Sequence, residues 1–311
     1  MHKITWMFTL ALMIALISPV SALKIVCTNP DFAQIVKEIA EDAEVESLMP
    51  SGSDPHTFSV TKEDMLLLES ADLIVLTNSE LLNFEVKIKE QYGDKTLDFE
   101  DYREYGAKLL YFDDYKNLHG YWLYLDNALA IAKAIEDRLE ILKPELRDTY
   151  RINLKAFERE ILSLKEVSGI SKERDMRCVA VIPGVTYIMK NAGVDTGAIL
   201  LEEGSGFVSG KEYSDIQSKL KSSEFKCIVV PASMKDSKAG EIALQLSRDT
   251  GKPVVYVKFV SGDSSFLAQH IYNLMQFNIE KAEEKSEDFT LPLIVLAIIE
   301  AVIIVWLRLR G

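Results

Sequence analysis

Short apolar runs alternate with longer amphipathic ones along this chain, and the series runs twice. In the first half, Leu23–Thr28, Val45–Met49 and Leu73–Leu76 read as strands, each too short for a helix. Between them, Phe32–Glu41 reads as a helix with Asp31 as its cap. Met65–Ala71 reads as a second helix, opened by Thr61 with an acid, Asp64, three residues on. Strands joined by helices pair in parallel, because each helix carries the chain back to the end of the sheet where the last strand began. A polar break at 168–177 ends the first series. The second has strands at Cys178–Ile182, Ile228–Val230 and Val254–Val257, with helices at Thr186–Ala192, Tyr213–Leu220, Ala239–Ser247 and Phe266–Ala282. The expected fold class is α/β, with two lobes built on parallel sheets covered by helices: residues 23–143 and 168–282.

A length of 311 residues accommodates two such lobes. Asp126 or Asn127 caps a helix running to about Leu142, and Pro144 fits the first turn of the next. From Glu145 to Leu164, Tyr150, Leu154, Phe157, Ile161 and Leu164 fall at intervals of four and three, a one-sided stripe. This predicts a long connecting helix over 144–167. The two ends of the chain are apolar. Lys3, the run Ile4–Ile17 and the small residues Val20 and Ala22 predict a signal peptide over 1–22. Residues 289–307, after the charged spacer 283–288, hold one charge, Glu300, and are followed by Arg308 and Arg310. That run predicts a single transmembrane helix, placing the protein in the cell membrane with its main domain outside and its C-terminus cytoplasmic. Two α/β lobes on an exported chain suit capture of a small ligand in a cleft between them.

Charge and motif content exclude other classes. The chain has 48 acidic against 35 basic residues, a formal net charge of −13. Nucleic acid and anionic lipid are therefore poor partners. Cys27, Cys178 and Cys227 each lie in or beside an apolar run, as strand cysteines in a core do. Their odd number leaves at least one without an internal partner, and their spacing is not that of a zinc ribbon. The Ser-containing loops Gly204-Ser205-Gly206 and Ser261–Ser265 lack the strand-to-helix setting of a nucleophile elbow. Cys27-Thr28-Asn29-Pro30 stands where a phosphate-binding glycine loop would follow the first strand. The expectation is that the protein is not an enzyme.

Four motifs carry more. Gly52-Ser53-Asp54-Pro55-His56-Thr57-Phe58-Ser59-Val60-Thr61 is a Gly/Pro-rich loop holding one of only four histidines. Ser70-Ala71-Asp72-Leu73-Ile74-Val75 follows it. Trp122-Leu123-Tyr124-Leu125-Asp126-Asn127-Ala128 opens a helix, and Lys143-Pro144-Glu145 leads to Tyr150 and Asn153. On these motifs the chain resembles the substrate-binding proteins of ABC transporters that import zinc or manganese. The resemblance covers nearly all of the exported part. In the second half it rests on Tyr187–Val194 (YIMKNAGV) and Gln276–Glu280 (QFNIE).

The resemblance implies a divalent cation, Zn²⁺ or Mn²⁺, as the transported ligand, with an ABC permease and its ATPase as partners. It implies His56 as the first ligand; that Asp54, two residues away, orients the ring's other nitrogen is an expectation from sequence position that the resemblance does not carry. The place of the second ligand falls on Gly120, one residue after His119. The third falls on Ile182, and the fourth on Lys258 and Phe259, where the nearest carboxylate is Asp263. The candidate metal ligands are thus His56, His119 and Asp263. His270 reads as an ordinary packed or solvent-facing helix residue. No histidine-rich loop is present, and 95–117 reads as an acidic, aromatic solvated loop instead. Because Ile182 and Phe259 cannot ligate, two alternatives stand beside metal import. One is an accessory membrane subunit that keeps the fold without the metal. The other is a binding protein for a different small solute.

Overall fold

The computed structural model describes residues 22–53, 55–112, 115–167, 176–202, 206–259 and 265–277. The chain divides into two compact units. The first holds the described residues up to Leu164 together with the segment Phe259–Leu267. The second holds Lys165–Lys258 and the described residues from Ala268 onward.

In the first unit, β1 (Lys24–Cys27), α1 (Pro30–Ile39), β2 (Glu44–Ser47), α2 (Lys62–Ser70), β3 (Leu73–Val75), α3 (Asn83–Tyr92) and β4 (Thr96–Leu97) succeed one another. They build a four-stranded sheet in the order β2-β1-β3-β4, parallel throughout. The chain leaves β1 toward β2 and returns to β1's other side as β3. The carboxyl ends of β1 and β3 therefore flank a switch point, the place where open α/β sheets leave room for a ligand. One face of the sheet packs Val26, Leu48, Leu68, Ile74, Leu76 and Ile88 into an apolar cluster, with Phe58 and Phe84 at its margin.

Local chemistry sets the helix starts. Thr61 and Asp64 form the expected capping box. The cap of α1 is Asn29 rather than Asp31: its side chain accepts from the Asp31 N–H, and Pro30 takes the first helical position. That frees the Asp31 carboxylate for a partner elsewhere. Segment 95–117 is not a plain loop. It contributes β4, the short helix α4 (Phe99–Glu104) and a hairpin of β5 (Leu110–Phe112) with β6 (Tyr115–Asn117). α5 (Leu125–Leu142) follows, and a 3-10 turn at Pro144–Leu146 leads into α6 (Arg147–Val167). Tyr150, Phe157 and Ile161 of the α6 stripe are buried. The Asn153 amide donates to the Ile39 carbonyl at 3.0 Å, closing the end of α1.

The second unit repeats the plan. β7 (Arg177–Ala180), α7 (Val185–Asn191), β8 (Asp195–Ile199), the antiparallel pair β9 (Leu201–Glu202) and β10 (Gly206–Phe207), α8 (Gly210–Lys221), β11 (Ile228–Pro231), α9 (Lys238–Thr250), β12 (Val254–Val257) and α10 (Phe266–Gln276) follow in order. Its sheet runs β12-β11-β7-β8, again parallel. Cys178 in β7 and Cys227, the residue just before β11, form a disulfide, and Cys27 is a free, buried cysteine.

No helix among the described residues is long and apolar enough to cross a membrane. α5 and α6 have the length, but α5 alone carries Lys133, Glu136, Asp137, Arg138 and Glu140. The expected spans, 1–22 and 289–307, lie almost wholly outside the described residues. Among the described residues the expected fold is accordingly corrected to two α/β units with no transmembrane helix, and the expected single-pass membrane placement is corrected with it.

Candidate metal centre

His56 lies in the loop between β2 and α2, on the carboxyl side of the first sheet. The loop is shaped at its start by Ser53, whose hydroxyl and N–H both donate to the Pro50 carbonyl, at 2.7 and 3.2 Å. It is pinned at its end by Phe58, which meets Phe84 of α3 edge-on at 5.0 Å between centroids. His119 approaches from the turn after β6, where its N–H donates to the Asn117 side chain at 3.2 Å. Gly120 then takes a left-handed conformation, φ 71°, which glycine adopts without cost. His119 thus reaches His56 although it stands one residue before the place where a histidine was expected.

The two imidazoles meet. Their Nε2 atoms are 3.1 Å apart and their ring centroids 5.2 Å. As a hydrogen bond, this needs one ring to carry the proton and the other to accept it. As a ligand pair, it is close to what one ion would hold: two nitrogens at about 2.0–2.1 Å in tetrahedral array lie about 3.3–3.4 Å apart. The donor pair therefore fits a single divalent cation with a small adjustment. Among the described residues, no group of three or more His, Cys, Asp or Glu side chains converges on one point.

The remaining sequence candidates fall elsewhere. Asp263 and Asp54 lie outside the described residues. Phe259 packs edge-on to Trp122 at 6.3 Å, in the first unit. Ile182 is partly buried against the apolar core of the second unit. Lys258 exchanges two backbone hydrogen bonds with the Asn273 amide, at 2.7 and 2.8 Å, and sets its ammonium over the Tyr272 ring. His270 is buried in α10, also in the second unit. The structure thus brings His56 and His119 together within the first unit.

Of the residues that frame His119, sequence reasoning singled out Trp122 and Asn127 only as motif residues and missed Tyr121 and Glu85. Tyr121 and Trp122, in a 3-10 turn, are buried. The Tyr121 hydroxyl donates to the Thr77 carbonyl at 2.5 Å, and the Trp122 indole donates to the Asp31 carboxylate at 2.9 Å. Asn127 donates to the Tyr121 carbonyl at 2.9 Å. At the switch point, Glu85 is wholly buried and accepts from the Thr77 and Asn78 N–H groups and from the Thr28 hydroxyl. Burial pushes its carboxyl up to about 7, against those three donors, which favour the anion. Nothing local marks Glu85 in the sequence, because its partners are a helix, a strand end and a loop brought together by the sheet.

The chain holds two α/β units, each built on a parallel sheet, and two imidazoles meet on the carboxyl side of the first sheet. Residues 25–284 match the family described as ZnuA, zinc-uptake complex component A, periplasmic, and the chain belongs to that family. Its members are solute-binding components of metal ABC transporters, not enzymes. The chain is 26% identical over 285 residues to the metal ABC transporter substrate-binding lipoprotein SsaB of Streptococcus sanguinis, covering 85% of this chain and 89% of that one. It is 26% identical over 282 residues to the manganese ABC transporter substrate-binding lipoprotein PsaA of Streptococcus mitis, covering 84% and 88%. A zinc-bound deletion mutant of ZnuA shares the fold, with a TM-score of 0.68 and 20% identity over 82% of this chain and 96% of that one.

Proposed function

We propose that this protein captures a zinc or manganese ion and passes it to an ABC permease powered by its ATPase. His56 and His119 are the imidazole donors. Asp263, which enters on its sequence position alone, is the carboxylate donor. The observation that carries the reading is the 3.1 Å separation of the two Nε2 atoms. Both rings bind through Nε2 as neutral donors, so the proton that one Nε2 holds in the ring-to-ring hydrogen bond moves to that ring's Nδ1 as the ion enters. Three protein ligands leave a position for water, and such a site is weaker than a closed four-ligand one. Imidazole suits zinc better than manganese, and the general order of divalent affinities runs the same way. Zinc is therefore expected to bind more tightly than manganese. Calorimetry on the purified protein with each ion tests this. A folded sample that takes up neither ion at micromolar concentration defeats the metal reading and leaves the family's fold without its chemistry.

A further inference from the structure

The peptide between Thr77 and Asn78 is held from both edges. On one side the Asn78 N–H donates to Glu85 Oε2 at 2.7 Å. On the other the Thr77 carbonyl accepts from the Tyr121 hydroxyl at 2.5 Å. Thr77's own N–H donates to Glu85 Oε1 at 2.9 Å, and the Thr28 hydroxyl shares that oxygen. Neither Glu85 nor Tyr121 exposes any surface. A carboxylate drawing on the N–H end of a peptide polarises its carbonyl, which strengthens the bond that carbonyl accepts. Tyr121 stands two residues after His119, with only left-handed Gly120 between them. Its ring is packed by Phe32, Phe99 and Trp122, and its carbonyl is taken by Asn127. The turn carrying His119 is thus anchored through Tyr121 to a peptide that Glu85 orients.

We propose that Glu85 and Tyr121 are positioning residues for the His119 imidazole, acting through the Thr77–Asn78 peptide; this rests on reading His56 and His119 as the metal ligands. The test uses the whole protein with Tyr121→Phe, Glu85→Gln, His119→Ala and the double variant Tyr121→Phe/His119→Ala. Zinc affinity is read by competition with a chromophoric chelator. Tyr121→Phe is expected to weaken zinc binding about tenfold, the lower end of what partners of metal ligands contribute. In the His119→Ala background the same change is expected to have no further effect, because its influence runs through the missing ring. An equal loss in both backgrounds overturns the proposal and shows general loosening instead. A second arm needs no metal: in proton–carbon spectra of the ion-free protein, the ring signal of His119 shifts in Tyr121→Phe and Glu85→Gln while that of His270 stays. An unmoved His119 signal overturns the proposal. If His119→Ala binds zinc as tightly as the parent, the metal reading fails, and the spectra still decide whether Tyr121 and Glu85 fix the ring. If Glu85→Gln does not fold, Tyr121→Phe, which removes one oxygen, decides both arms.

Discussion

His56 and His119 come from loops 63 residues apart in sequence and reach hydrogen-bonding distance. Removing either leaves one imidazole, so His56→Ala and His119→Ala are each expected to lower zinc affinity well over tenfold, since even partners of ligands contribute about 10–100-fold. His270→Ala is expected to leave affinity unchanged and to lower stability instead, because that ring is buried in α10. Titration of the three variants with zinc at one pH, beside their thermal melts, checks both halves. Glu85 gives a second expectation. Its folded pKa, about 7, is raised above the ordinary 4.5. The folded state therefore binds the proton more tightly than the unfolded one. Glu85's contribution to stability is complete below about pH 4.5 and is lost as pH rises to about 7. The span corresponds to on the order of 3 kcal/mol. Glu85→Gln lacks this titration, so its stability relative to the parent is expected to improve by that order between pH 5 and pH 8, read from urea melts at each pH. A constant difference across that range would contradict it.

At the scale of elements, the His56 loop is polar and exposed and has one apolar anchor. Phe58 joins the cluster beneath the first sheet and meets Phe84. Phe58→Ala is expected to cost about 2–3 kcal/mol, below the range for fully buried aromatics because Phe58 is only partly buried. Released at that end, the loop no longer holds His56 against His119, so zinc affinity should fall with stability. Phe84→Ala removes the partner ring from α3 and should act in the same direction. If either variant loses stability while zinc affinity stays at the parent's value, the loop is held by something other than this ring pair. The hairpin β5–β6 has a comparable tie, the Lys116–Glu80 ion pair, but both groups are well exposed and contribute little.

At the scale of the whole molecule, the two units are secured differently. The second is closed by Cys178–Cys227, a bridge spanning 49 residues of sequence. By the loss of chain entropy in the unfolded state, such a loop stabilises by about 4 kcal/mol. Such a bond belongs to an oxidising compartment. Reduction, or the pair Cys178→Ala and Cys227→Ala, is expected to lower the melting temperature of the second unit, while zinc binding at His56 and His119 persists. Scanning calorimetry with and without reductant resolves this. Cys27 does not take part: it is buried in β1, and burial pushes its thiol well above the ordinary range.

The sequence by itself determined the class of fold, because strand and helix periodicity are local properties. Runs such as Leu73–Leu76 and the stripe from Tyr150 to Ile161 announce their own buried faces. It also determined which loop would carry His56 and where the Thr61–Asp64 box would start a helix. It did not determine the cap of α1: Asn29 and Asp31 both suit an N-terminus, and only the Trp122 indole, 91 residues away, makes Asp31 more useful elsewhere. It left the cysteines unpaired, because strand order, not spacing, sets Cys178 beside Cys227. The hairpin within 95–117 escaped notice because its strands are three residues each and show no alternation long enough to read. The sequence named His56 and His119 as candidate ligands of one ion, but the 3.1 Å approach of their Nε2 atoms was a decision of the tertiary structure. One left-handed glycine turns the chain by an amount that no count of residues reveals, and the buried network from Glu85 to Tyr121 holds that turn in place.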